Sequence, residues 1–412
     1  MATLKPFRIL HPQLSTVADI CTLPYDVMNT DEARQMAEGK PLSFLRVTRS
    51  EIEFPAEANP YSDEVYQHGA ANLRKLIDQG ALVQEANPIY MLYRQVMGNH
   101  TQLGLVAVAN CADYDAGTIK KHELTRPDKE DDRTRHINIL RAQTGPVFLT
   151  YKAQPEIDTL LNAQVQKNPD LNFVAEDGIR HSAWLINDTA VISAIQKAFG
   201  ALPALYVADG HHRSAAASRV ARERTTANTD HSGSEPYNYF LTVSFPHNQM
   251  QILGYNRLVK DLNGLSPQQV LEKLERLATV SDAPPSRQPS RKGELTMFLA
   301  GKWYLLRWKA DAVTGNDAVA KLDVSVLQNT VLTPLFNIGD PRIDKRIQFI
   351  GGIRGPQELE LLVTNGSGAV AFALYPTSIE DLMEIADAGG LMPPKSTWFE
   401  PKLRDGMAVH LI

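Results

Sequence analysis

Cysteine is nearly absent from this chain. Its 412 residues include only Cys21 and Cys111, with no CxxC, so neither a disulfide framework nor a cysteine zinc cluster can be built. Each reads as a small buried hydrophobe. Long apolar runs are missing as well. Nowhere do about 18 apolar residues follow one another, and "MATLKPFRILHPQL" lacks the basic start and apolar stretch of a secretory signal. The expectation is a cytoplasmic protein with no membrane partner. Positive charge is not in excess: 42 Lys and Arg face 47 Asp and Glu, a net of −5. That balance argues against a surface built to neutralise a nucleic-acid backbone. There is no GxxxxGK[ST], no intact GxGxxG and no HExxH, and "NGSGAV" at 365 reads as a hairpin turn. No internal repeat or coiled coil is visible.

What is present suits a folded chain too long for one small core. Short strands interleave with short helices, which predicts an α+β fold with mixed sheets. Three regions are expected: 1–151, an N-terminal α/β region with a charged lid; 152–262, a central region; and 263–412, a C-terminal α/β region. Asn29, Ser62 and Ser266 are helix N-cap candidates, the last followed by Pro267, and Thr377 with Glu380 offers a capping box. Gly98-Asn99 and Ala300-Gly301 mark hairpins.

One stretch carries more chemistry than the rest. "LYVADGHHRSAAASRV" runs from a buried-strand pattern at Leu205–Val207 into an Ala- and Arg-rich helix, so "DGHHR" sits at a strand-to-helix turn. The first amides of a helix point outward there and the dipole is positive, which suits an anion. Gly210 lets backbone approach a ligand, Arg213 offers a forked donor set, and His211 and His212 can donate or exchange protons near neutral pH. Asp209 can hold Mg²⁺ or take a proton from a hydroxyl. The plainer alternative is an aspartate that caps the helix, beside histidines bonded to nearby backbone.

Two other stretches stand beside it. "KKHELTRPDKEDDRTR" at 120–135 is either a solvated, self-neutralising loop or a lid bringing His122, Glu123, Arg126 and Arg133 to an anionic ligand. "PKSTWFEPK" offers Lys395 and Ser396 to a phosphate, or anchors the C-terminus through Trp398 and Phe399. Asp26, in the turn segment "LPYDVM", is the candidate substrate-binding carboxylate.

Five stretches in order, "LPYDVM", "HELTRPDKEDDR" with "INILRAQTGPVFLTY", "LYVADGHHR", "LGYNRLV" and "LMPPKSTWFEPK", resemble a family of uncharacterised bacterial and archaeal proteins sometimes labelled ParB-like. The motif is similar to the nucleotide-binding turn of the ParB/sulfiredoxin superfamily, which includes segregation CTPases, sulfiredoxins and free-serine kinases. The resemblance implies a ParB/sulfiredoxin-like core with added N- and C-terminal α/β elements, and phosphate contact by Gly210, His212 and Arg213. It makes Asp209, Glu123 and His211 the catalytic candidates, and His122, Arg126, Arg133, Lys395 and Ser396 further phosphate contacts. No resident metal site is expected. The implied activity is phosphotransfer from ATP or ADP, with Mg²⁺, to a small hydroxyl compound such as serine. A nucleotide-switched regulatory module and a metal-dependent hydrolase are the alternatives, and a homodimer is left open.

Overall fold

A computed structural model describes residues 2–313, 315 and 317–412. The chain divides into two compact units. One comprises 1–121, 125–250 and 401–412; the other comprises 122–124 and 251–400. The fold is mixed α+β, as its patterning predicts.

The first unit is built on a nine-stranded sheet. From one edge the order is Ile119–Lys120, Leu205–Asp209, Val147–Tyr151, Tyr239–Pro246, His100–Asn110, Tyr90–Met97, Arg180–Ile186 and Leu171–Val174, and Leu4–Lys5 adds to His100–Asn110. Leu205–Asp209 runs parallel to Ile119–Lys120, and Val147–Tyr151 runs parallel to Tyr239–Pro246. The other pairs are antiparallel. Met97 pairs with His100 across the hairpin expected at Gly98-Asn99. The helix His211–Ala227 buries Ala216, Ala217, Val220 and Ala221 in the same core as Leu105, Leu149 and Val207. Small side chains let it lie close to the strands, and burial of their apolar area holds it there.

Caps fall largely where the side-chain chemistry puts them. Asn29 and Ser266 close capping boxes with Glu32 and Gln269, and the Ser62 hydroxyl accepts from the Val65 amide. Ser378 rather than Thr377 caps Ile379–Asp387, while the Thr377 hydroxyl donates to the Ser396 carbonyl. Asn365 and Gly366 are not a hairpin turn. They end the helix Gly355–Thr364 and lead into the strand Val370–Leu374, with Gly366 at φ 82° stopping the helix.

The stretch at 120–135 differs from the expected loop: from Pro127 onward it is helical. Pro127–Leu140 is a helix that buries Asp132, Arg133, Thr134 and His136. Proline at the first helical position starts it. The buried charges are tolerated because Arg133 Nε donates to Asp132 Oδ2 at 3.0 Å and the Tyr66 hydroxyl donates to Asp132 Oδ1 at 2.7 Å.

The second unit carries a fully antiparallel six-stranded sheet in the order Ala278–Asp282, Lys302–Trp308, Glu294–Leu299, Val370–Leu374, Tyr255–Val259 and Ile347–Gly351. Its Glu294–Leu299 and Lys302–Trp308 hairpin turns at Ala300 and Gly301, both at positive φ, as expected.

Candidate functional site

The site grows from the strand Leu205–Asp209. Val207 pairs with Leu149 and Asp209 with Phe148, so Ala208 is an extra residue on this strand. Such a bulge re-aims the side chain that follows it. The Asp209 carboxylate, about one third exposed, is met by Lys402 Nζ at 2.8 Å from Oδ2, and Arg213 Nη2 lies 3.7 Å from Oδ1. Asp209 is therefore an ion-pair partner and does not cap the helix. The cap position belongs to Gly210, at φ 97°, which brings no side chain to the first turn of His211–Ala227. The conformation favours glycine, and a Cβ there would stand 3.0 Å from Arg213 Nε and press on that side chain.

Arg213 points inward. It is 8% exposed, and its Nη1 donates to the Pro146 carbonyl. Nη2 is 4.0 Å from Asp26 Oδ2, while Nε has no hydrogen-bond acceptor among the described residues. Burial alone opposes the charge, but Asp26, Asp209 and Asp405 hold the guanidinium above its ordinary range. Asp405 is 1% exposed, and its Oδ2 accepts the Tyr25 amide at 3.3 Å. Burial pushes its carboxyl up to about 7, against the pull of Arg213. A Cβ on Gly145 would lie 3.0 Å from Asp405 Oδ1 and 3.4 Å from Arg213 Cδ, so a second glycine makes room for this pair. Tyr25, Arg133, Thr144, Gly145 and Arg213 enclose about 20 Å³, room for one water.

The final segment, 401–412, supplies Lys402 and Asp405 and is buried along 401–410. Thr22 and Asp405 exchange backbone hydrogen bonds, as do Leu10 and Val409, and His410–Leu411 pairs with Ala142–Gln143. Arg404 donates from Nη2 to Asp177 and from Nε to His181 Nε2 at 3.1 Å, which leaves the His181 proton on Nδ1, toward the Tyr93 hydroxyl at 2.7 Å.

Of the residues singled out in the sequence, Asp26, Arg126, Arg133, Asp209, Gly210, His211, His212 and Arg213 fall in the first unit. His122, Glu123, Lys395 and Ser396 fall in the second. His212 Nε2 accepts the Arg126 amide at 3.0 Å, so this nitrogen ties the start of the charged helix to the motif. The Arg126 guanidinium is turned to Asp128, and Arg133 lies 4.0 Å over the Tyr25 ring. In the second unit the Ser396 hydroxyl donates to the Pro393 carbonyl at 2.6 Å, and Arg257 Nη2 donates to the Lys395 carbonyl at 3.1 Å.

Lys402, Asp405, Tyr25 and Gly145 were not visible as site residues in the sequence. The signal available was "PKLRDGMAV", where Lys402, Arg404 and Asp405 stand around Leu403 in a segment with no helical period.

Residues 4–325 match the family model described as "Protein of unknown function (DUF1015)". No curated protein matches the sequence. Among solved structures, a free serine kinase in complex with AMP is 12% identical, with a TM-score of 0.33, covering 68% of this chain and 83% of that one. A conserved hypothetical protein from Pyrococcus furiosus is 14% identical at a TM-score of 0.35, covering 71% and 92%. C-terminally truncated SbnI from Staphylococcus aureus is 11% identical at 0.37, covering 73% and 85%.

Proposed function

The chain belongs to the DUF1015 family of proteins of unknown function, and from that premise we propose that its first unit is a nucleotide-dependent phosphotransferase for a small hydroxyl metabolite, with serine the leading candidate. The observation that carries this reading is the Asp209–Gly210 junction: a bulged strand end, a glycine at positive φ, and the bare start of a 17-residue helix beside two cations. Outward amides, helix dipole and cations are the elements that bind a phosphate.

In this reading the strand, turn and helix form a ParB/sulfiredoxin-like core, and ATP or ADP lays its terminal phosphates against the first turn. Asp26, the more open carboxylate, contacts the acceptor, and an ammonium such as that of serine suits it. Mg²⁺ would screen phosphate charge; Asp26 is a hard oxygen donor of the kind it accepts, alongside the phosphates themselves. The acceptor hydroxyl oxygen forms a bond to the terminal phosphorus, the bridging P–O bond breaks, its electron pair leaves with ADP or AMP, and the hydroxyl proton passes to Asp209. Positioning and charge stabilisation provide most of the acceleration. The activity would belong to the cytoplasm and need no nucleic acid.

The test is incubation of the full chain with terminally labelled ATP or ADP and a set of small alcohols including serine. Label appearing on the hydroxyl supports the assignment. Absence of both label transfer and nucleotide binding would contradict it.

A further inference from the structure

Lys402 belongs to no motif, yet it is placed with care. Its side chain is 9% exposed. Its carbonyl accepts from Gln95 Nε2 at 2.8 Å, and Gln95 Oε1 in turn accepts from Gln102 Nε2 at 2.9 Å. Both glutamines are fully buried on neighbouring strands. A buried amide relay on the sheet therefore fixes the backbone from which the ammonium reaches Asp209.

Around Asp209 the charges converge. Lys402 meets Oδ2, Arg213 approaches Oδ1, and the helix from His211 turns its positive end toward the same place. The Arg213 Nε, without an acceptor among the described residues, faces the bare Gly210 turn at 3.0 Å from where a Cβ would be. Asp26 and Asp405 answer the Arg213 charge from other directions. Asp209 is thus the anion standing where two cations and a helix start would hold a phosphate. While it is so engaged it is a poor proton acceptor, because both cations stabilise its ionised form.

Resting on the phosphotransfer reading above, we propose that Lys402 is the phosphate-contacting cation of the site, and that the incoming nucleotide displaces Asp209 from it. The exchange does two things at once. The phosphate gains a charge-assisted hydrogen bond from a buried ammonium. Asp209 loses the nearer of its two cations and gains an anionic neighbour, both of which raise its basicity, so it becomes able to accept the acceptor's proton only once nucleotide is bound.

Calorimetric titration of the full chain with ADP and, separately, with adenosine tests this. Wild type should bind both. Lys402→Met should weaken ADP by about tenfold or more while leaving adenosine unchanged, and Lys402→Arg should recover part of the ADP affinity. Asp209→Asn, which removes the resident anion, should bind ADP more tightly than wild type while losing phosphotransfer. If wild type binds neither ligand, the phosphotransfer reading itself falls. If wild type binds ADP and Lys402→Met binds it equally well, or loses ADP and adenosine alike, Lys402 is a structural ion-pair partner and the exchange is overturned.

Discussion

Gly210 bears two constraints at one position, a φ of 97° and an Arg213 Nε within 3.0 Å of any added Cβ. Gly210→Ala should cost about 1–3 kcal/mol, read as a lower midpoint in chemical denaturation. An unchanged midpoint would mean that the turn is not strained. Asp405 gives a prediction with a defined sign. Its carboxyl ordinarily ionises near 3.8 and is raised to about 7 in the fold, so its contribution to stability is fully present below 3.8 and lost as pH rises through 7. Asp405→Asn removes that loss. The melting temperature of the variant relative to wild type should be higher at pH 8 than at pH 5, and an equal difference at both pH values would contradict the burial assigned to this group.

Among the elements, the helix Pro127–Leu140 shows where sequence reading stops. Its stretch reads as a charged loop because Asp131, Asp132, Arg133 and Arg135 stand in one run, and periodicity cannot tell a solvated charge from one buried against a partner far along the chain. Tyr66, 66 residues before Asp132, makes the difference. Tyr66→Phe should cost about 2 kcal/mol by leaving one Asp132 oxygen without its donor; urea unfolding at neutral pH measures it, and a loss near zero would show that Asp132 is satisfied without the hydroxyl. The strand-to-helix junction at Asp209–Gly210, by contrast, is legible because its signals are local: a β-rich run, a glycine, and a helix-former run in immediate succession. Caps at Asn29, Ser62 and Ser266 are legible for the same reason. The final segment carrying Lys402 and Asp405 is not, since its partners, Thr22, Gln95 and Asp209, lie 193 residues or more upstream and only the fold brings them together.

For the whole molecule, three of the buried histidines, His136, His181 and His410, bear on the response to acid. Burial lowers His136 to about 3, His181 to about 2 and His410 to about 4. An unfolded histidine takes up its proton near 6.5, so the unfolded chain binds more protons than the folded one below that pH. Stability held by these neutral rings is present above pH 6.5 and lost as pH falls from 6.5 toward 4. Asp405, raised to about 7, and Asp323, raised by burial to about 6, act in the opposite direction over that window, but they are two groups against three. Thermal melts should therefore show a falling midpoint between pH 6.5 and 4, and His181→Gln should flatten the slope. A midpoint that rises on acidification would contradict the buried neutral assignment. The account as a whole rests on a phosphate meeting the Asp209–Gly210 turn, and a crystal structure of the full chain soaked with ADP tests that most directly. The account predicts the terminal phosphate within hydrogen-bond reach of the backbone amides at 211–213 and of Lys402 Nζ, with Asp209 turned away from the lysine; ADP bound elsewhere, or Lys402 still on Asp209 with ADP present, would contradict it.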